Sequence, residues 1–215
     1  MTTLTTFRSR LEQILAPAGN RDWSDNALDE ALRQARDRYG EVLPPREIDT
    51  VTLTTDGREI DVSSLTYTGI ERVWWDYDTT DPNHPPNWRD FEVWSGDIVY
   101  IYDDDEPESG DVVRFWLIQR PTIQNLDSAT ETNIPTEHDT LLLTGAAAYA
   151  AQSLVSERTE QPNISDWLIK NLSEWADKKL HNFEARLQQM ATQRALDDGG
   201  LAPQPPLDTY DNEWS

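Results

Sequence analysis

The chain of 215 residues has no cysteine. That excludes a disulfide framework, a thiolate nucleophile and cysteine-ligated metal. Its three histidines, His84, His138 and His181, stand alone. None falls in an HExxH or other paired-ligand spacing, so no metal or cofactor is expected. Glycine is also sparse at nine residues, and none of them sits in a phosphate-loop, dinucleotide-binding or nucleophile-elbow pattern. Bases are few: 18 Lys and Arg face 40 Asp and Glu, for a formal net charge of -22. Such a chain repels phosphate, which argues against nucleic-acid binding through a general basic face and against anionic membranes. The longest apolar run, LLLTGAAAYAA, is too short to span a bilayer. The opening MTTLTTFRSRLEQ lacks the apolar centre of a signal peptide. The expectation is a soluble intracellular protein of one domain, or one domain with an inserted lobe.

What is present falls into two periodicities. Leu4, Phe7, Leu11, Ile14 and Leu15 mark one face of a helix over residues 3–16, which PAGN ends. After Trp23, a cap at Ser24 or Asp25 opens a second helix carrying Leu28, Leu32, Ala35 and Tyr39. Asp29 and Glu30 in its first turn and Arg36 and Arg38 near its last suit the helix dipole. Gly40 and LPP should stop it. From about residue 47 the period becomes two. Val51 and Leu53 alternate with threonines, and the Asp56-Gly57 pair predicts a hairpin into REIDV. GIERVWWDY reads as a strand and DTTDPNHPPNW as a loop. FEVW, IVYIY and VVRFWLI read as three antiparallel strands joined by turns.

Helices then return. Thr136 and Asp139 have the spacing of a capping box ahead of LLLTGAAAYAAQSLVSER, whose small residues allow close packing. A last helix runs from about Ser165 to Leu196, with Leu168, Leu172, Ala176, Leu180, Phe183, Leu187 and Met190 in one stripe. At ~1.5 Å per residue it would extend about 48 Å, too long for a small globule to cover, so its end is expected to meet a partner. LAPQPPLDTYDNEWS has no base and several prolines, and reads as an extended acidic tail.

The pattern predicts an α+β fold: a helical bundle with a long C-terminal helix, an inserted antiparallel β lobe and an extended tail. The expected divisions are a helical hairpin over 1–46, the β lobe over 47–122, helices completing the bundle over 123–197, and the tail over 198–215. The helix core is predicted at Leu28, Leu32, Tyr39, Leu168, Leu172, Leu180, Phe183 and Leu187.

Four of the nine tryptophans, Trp74, Trp75, Trp88 and Trp94, crowd into one acidic stretch. Aromatics beside carboxylates suit a carbohydrate-binding or glycan-cleaving cleft, but a glycosidase needs two facing carboxylates, one in an apolar pocket. Nothing in the sequence selects such a pair. Asp76, Asp78 and Asp81 begin like a calcium loop but lack its central glycine and final glutamate. Asp103 to Glu106 reads as a solvated turn. Without a catalytic motif, the expectation is a protein that is not an enzyme.

The whole order of elements resembles the head–tail adaptor, or connector, proteins of tailed bacteriophages. The resemblance rests on DWSDNALDEALRQARDRYGEVLPP, the run WSGDIVYIY…GDVVRFWLI, the helix entered from NIPTEHDTLLLTGAAAYAA, and the long helix with its tail. It spans about residues 3–195 as a pattern of elements, and no single motif in it is specific. It implies a structural virion protein at the neck, assembled in the host cytoplasm. Such a protein forms a ring, typically of twelve copies, under the portal protein. The ring extends the DNA channel, through which DNA passes without specific binding, and docks a next neck or tail-terminator protein. Leu201, Pro206, Leu207, Tyr210 and Trp214 of the tail would then grip the portal. Trp74, Trp75, Trp88 and Trp94 would serve subunit or tail interfaces. Because Trp74 and Trp75 are consecutive in a strand, one should enter the core and the other turn outward. Another neck protein, a stopper or tail-completion protein, is the nearest rival, although those tend to be shorter and richer in β structure.

Overall fold

The switch from helical to two-residue periodicity divides the chain, and each block closes a core of its own. The computed structural model describes residues 2–16, 23–80, 86–94, 97–159 and 166–198. The fold is α+β, a four-helix bundle and an antiparallel sheet. Two compact units result, Met1–Leu43 with Ile123–Ser215, and Pro44–Thr122.

In the first unit, helix α1 (Leu4–Leu15) buries Leu4, Phe7, Leu11 and Leu15. Helix α2 (Asp25–Val42) is capped by the Ser24 hydroxyl, which accepts the Ala27 N–H at 3.3 Å. It runs past Gly40 and stops at the expected LPP; its first turn holds Asp25 rather than Asp29 and Glu30, and its last turn has no base. The chain leaves the helix at Leu43, whose φ of -135° and ψ of 58° lie outside the helical region, because the following Pro44 disfavours a helical residue before it.

Helix α3 (Asp139–Thr159) and helix α4 (Asp166–Asp197) complete the bundle. Ala146, Ala147 and Ala150 of α3 pack in one core with Leu28, Leu32 and Tyr39 of α2 and with Phe183 and Leu187 of α4. Leu172 is buried in a neighbouring cluster with Ala151, Leu154 and Ala176, and Leu180 is partly buried. The Leu168 side chain lies outside what is described.

A 3-10 turn at Thr136–His138 leads into α3 without a side-chain cap from Thr136. The expected capping box is therefore absent. One oxygen of Asp139, Oδ2, instead accepts hydrogen bonds from the Thr2 hydroxyl at 2.6 Å and Arg10 Nη1 at 3.2 Å. Two further ion pairs tie helices together. Arg8 of α1 grips Asp29 of α2 through Nε at 2.7 Å and Nη2 at 2.6 Å. Arg38 of α2 does the same to Glu184 of α4, with both bonds 2.8 Å.

The second unit is one six-stranded sheet: β1 (Arg46–Thr52), β2 (Glu59–Asp61), β3 (Gly69–Trp74), β4 (Trp88–Trp94), β5 (Ile98–Tyr102) and β6 (Val112–Ile118). The spatial order is β1-β6-β3-β4-β5-β2. Two predicted pairings are corrected. β1 and β2 do not form a hairpin across Asp56-Gly57; β1 pairs with β6 and β2 with β5. Gly57, with φ of 136°, instead donates its N–H to Pro107 O at 2.8 Å, and Asp56 accepts the Ser109 N–H at 2.7 Å. The turn residues thus bond to the loop before β6 rather than fold back. Likewise β5 and β6 are not neighbours, because β6 lies between β1 and β3. The β4–β5 hairpin forms, with Val93 opposite Val99. Alternation places Val73, Val99, Ile101, Val113, Phe115 and Leu117 in the sheet's core, as period-two burial requires.

Candidate functional site

The same alternation puts a different population on the sheet's other face. Trp88, Asp90, Glu92 and Trp94 of β4, Tyr100 and Tyr102 of β5, and Arg114 and Trp116 of β6 share the opposite parity to the core residues. They form two aromatic groups.

The first is built around Trp74. Cross-strand pairing sets Trp74 against Trp88 on β4 and Arg114 on β6. The Trp74 and Trp116 rings stack with centroids 6.2 Å apart and planes 21° apart. Trp88 meets Trp116 edge-on at 4.7 Å, and Tyr77 meets Trp74 edge-on at 4.9 Å. Arginines cover this cluster: Arg72 lies 5.2 Å over Trp88, and Arg114 lies 4.5 Å over Tyr77. These are cation–π distances.

The second group is a ladder. Trp94 and Tyr100 stack face to face at 4.7 Å and 10°, and Tyr102 meets Tyr100 edge-on at 5.0 Å. Glu92 accepts from the Tyr102 hydroxyl at 2.7 Å and from Trp94 Nε1 at 3.2 Å. Those bonds hold its carboxyl below the usual range, Tyr102 contributing most. Beside the ladder lies a shallow depression of about 480 Å³, bordered by Arg58, Arg89 and Asp103. Arg89 is paired with Asp103 and sits 5.1 Å over the Trp75 ring.

The four tryptophans singled out by sequence thus part company. Trp75 enters the sheet core and donates Nε1–H to Asp111 at 3.1 Å. Trp74 does take the opposite face, yet it is only 2 % exposed, because its aromatic neighbours close over it. The expectation that one of this pair lies open to a partner is corrected. Trp88 and Trp94, at 40 % and 41 % exposure, are the open ones. Sequence reading missed Trp116, Tyr100 and Tyr102. Their signal was the parity of IVYIY and VVRFWLI, which sets tyrosine and tryptophan opposite the buried aliphatics.

In chemical terms the face offers ring edges, guanidinium groups and exposed carboxylates. Among the described residues, the carboxylates with a shifted pKa, Asp61, Glu92, Asp127 and Glu184, are all shifted downward by hydrogen bonds. That is the reverse of the raised pKa a general acid needs. No group of three or more His, Asp or Glu among the described residues could hold a metal ion. No described helix is long and apolar enough to cross a membrane.

In the helical unit, His138 is half-buried, and its Nδ1 shares a 2.7 Å hydrogen bond with the Tyr39 hydroxyl. The tail residues Leu201, Pro206, Leu207, Tyr210 and Trp214 lie outside the described residues. No protein-family model matches the chain, and no curated protein matches it.

Proposed function

We propose that this chain is a head–tail adaptor of a tailed bacteriophage, a structural neck protein without catalytic activity. The observation that carries the reading is the course of α4. Its last fully buried residue is Leu187, Met190 and Ala191 are partly buried, and Leu196 is 52 % exposed. About six residues after Ala191, or ~9 Å of helix, therefore outrun the core just before the proline-rich, aromatic segment begins. A helix that projects beyond its bundle and hands on to such a segment suits a protein that reaches for a partner. In this reading Leu207, Tyr210 and Trp214 order on the portal protein, and prolines reduce the entropy lost on ordering.

The interrupted helical unit, with its sheet inserted between α2 and α3, supports the same reading through the order of elements. Twelve such units would ring the channel, with the next neck or tail-terminator protein below. The net charge of -22 suits a conduit that must let DNA slide without holding it. The same charge, repeated around a ring, makes assembly depend on the portal and on salt.

The glycan reading draws less support. Sugar stacking uses an open ring face, and one face of Trp94 is taken by Tyr100 while Arg72 lies over Trp88.

The test is co-sedimentation with DNA-filled, tailless heads that carry their portal. The expected result is saturable binding at about a dozen copies per head, as a cyclic ring requires, with loss of binding when the chain ends at Gly200. No binding by the full chain would overturn the proposal, and a glycan panel would then be the next experiment.

A further inference from the structure

Within the helical unit, α2 and α3 leave a groove of about 180 Å³ between them. Ala27, Ala31, Ala150 and Leu154 line it, flanked by the rings of Trp23 and Tyr149. An apolar cavity of ~150 Å³ is enough to take a benzene ring, so this groove is of aromatic size. Glu30, which accepts from Arg33 and Gln34, and Glu157 also line it, together with Ser24, Gln34 and Ser153, so the apolar patch has a polar rim with two carboxylates.

The same unit displays a side chain of matching character on α4. Trp167, in the first turn of α4, is 72 % exposed, the most open of the large hydrophobic residues described. One turn on, at the spacing that shares a helix face, Lys170 is 76 % exposed, with Glu174 4.0 Å away. A bulky aromatic beside a cation is thus offered by one surface, and an aromatic-sized groove rimmed by carboxylates by another.

We propose that these two surfaces are the two halves of the contact between neighbouring copies of this chain: Trp167 of one copy fills the α2–α3 groove of the next, and Lys170 meets the carboxylates at its rim. The inference takes the ring of the preceding reading as its setting. Knob and groove lie on different elements, and within the ring of the preceding reading the contact runs head to tail. Each copy can give one tryptophan and receive another, and the series propagates until it closes. A tryptophan in a desolvated pocket is the usual energetic centre of an interface. The lysine fixes orientation and offsets repulsion between two acidic subunits where they touch.

The absence of cysteine makes the test clean. Two single-cysteine chains, Lys170→Cys and Glu157→Cys, are mixed at several hundred micromolar in ~0.15 M salt, where the Debye length is about 8 Å, and oxidised. A parallel mixture replaces Glu157→Cys with Glu30→Cys. Oxidation followed by blocking of the remaining thiols traps the disulfides formed, so a transient contact is recorded. These positions are solvent-exposed, and circular dichroism checks that each variant is folded.

The expected result is a mixed disulfide between Lys170→Cys and at least one of the two groove variants. Its yield should exceed by tenfold or more that with Glu41→Cys, an exposed acid at the far end of α2. Adding Trp167→Ala to the Lys170→Cys chain should reduce it at least fivefold. Mixing distinct chains excludes a tryptophan folding into its own groove. No mixed disulfide with either groove variant, or equal yields with and without Trp167, would overturn the inference. Portal binding is measured separately. Heads that bind the chain while no cross-link forms would remove this contact and leave the adaptor. A cross-link without portal binding would do the reverse.

Discussion

Gly145 on α3 lies directly against the ring of Phe183 on α4. A β-carbon at Gly145 would fall 3.0 Å from three carbons of that ring, and Phe183 is wholly buried. The close approach of the two helices depends on the missing side chain.

Gly145→Ala therefore sets two effects against each other. Alanine favours the helix by ~1 kcal/mol, while overpacking a filled core costs ~1–3 kcal/mol. Because the ring has core on all sides, the second should win. The expected outcome is a net loss of about 1 kcal/mol, seen as a lower urea midpoint. A higher midpoint would mean that the ring can move aside.

Asp127 holds a second junction. Its carboxylate accepts from Arg36 Nη1 and from Arg33 Nε, each at 2.7 Å, and the Arg36 side chain is buried. Asp127 also has a φ of 53°, a conformation that Asp and Asn tolerate better than most residues. Asp37 still holds the Arg36 guanidinium at 2.7 and 2.9 Å, so Asp127→Ala should lose ~1–3 kcal/mol through the lost ion pairs and a strained backbone. Asp127→Asn keeps the backbone preference and should lose less. Equal losses in chemical denaturation would assign the whole effect to charge.

His138 gives the helical unit a pH response. Burial is the main force holding its pKa below the ordinary value of 6.5; Glu137 opposes the shift and Arg194 adds to it. Burial also pushes its partner Tyr39 up to about 12, so the tyrosine stays neutral throughout. In the unfolded chain the histidine takes up a proton as pH falls through about 6.5; in the fold it does so only at lower pH. Unfolding is therefore favoured as pH drops below about 6.5. The difference in Tm between the parent chain and His138→Gln should shift against the parent between pH 7 and pH 5. A difference that stays flat would refute the assignment.

Trp88 and Trp94 have nearly the same exposure and should behave differently. Trp88→Ala uncovers Trp74 and removes contacts to Trp116, so it should destabilise the sheet by ~2 kcal/mol. Trp94→Ala loses one stacking partner and one bond to Glu92, and should cost under ~1 kcal/mol. Separate denaturation curves for the two variants decide this.

Helices were legible in the sequence because their signals are local. The Ser24 cap and the spacing from Leu28 to Tyr39 lie within a few turns of one another. The sheet's pairing was not legible, because register between strands is set by residues far apart in the chain. Asp56-Gly57 has the composition of a tight hairpin, yet its bonds go to Pro107 and Ser109, which no local pattern announces. The capping-box spacing of Thr136 and Asp139 misled for the same reason, since a carboxylate goes to whichever donors the tertiary fold brings closest, here Thr2 and Arg10. The aromatic face was half legible: the tryptophan-rich stretch stood out, but its covering by Trp116 and Tyr77 needed three strands to be aligned.

The central position of β6 also bears on the time at which the protein can fold. β1 and β2 are consecutive in the chain but stand at opposite edges of the sheet, and β1 pairs with β6. While the chain is being made, at ~5–20 residues per second, β1 waits seconds for its partner. α1 and α2 wait longer still, because α3 and α4 follow the sheet. During that interval Arg46–Thr52 is an unpaired strand, and Glu47 and Asp49 within it are the kind of charge that keeps such an edge from joining the wrong neighbour. The acids along β1 thus serve the nascent strand first and the finished sheet's edge afterwards.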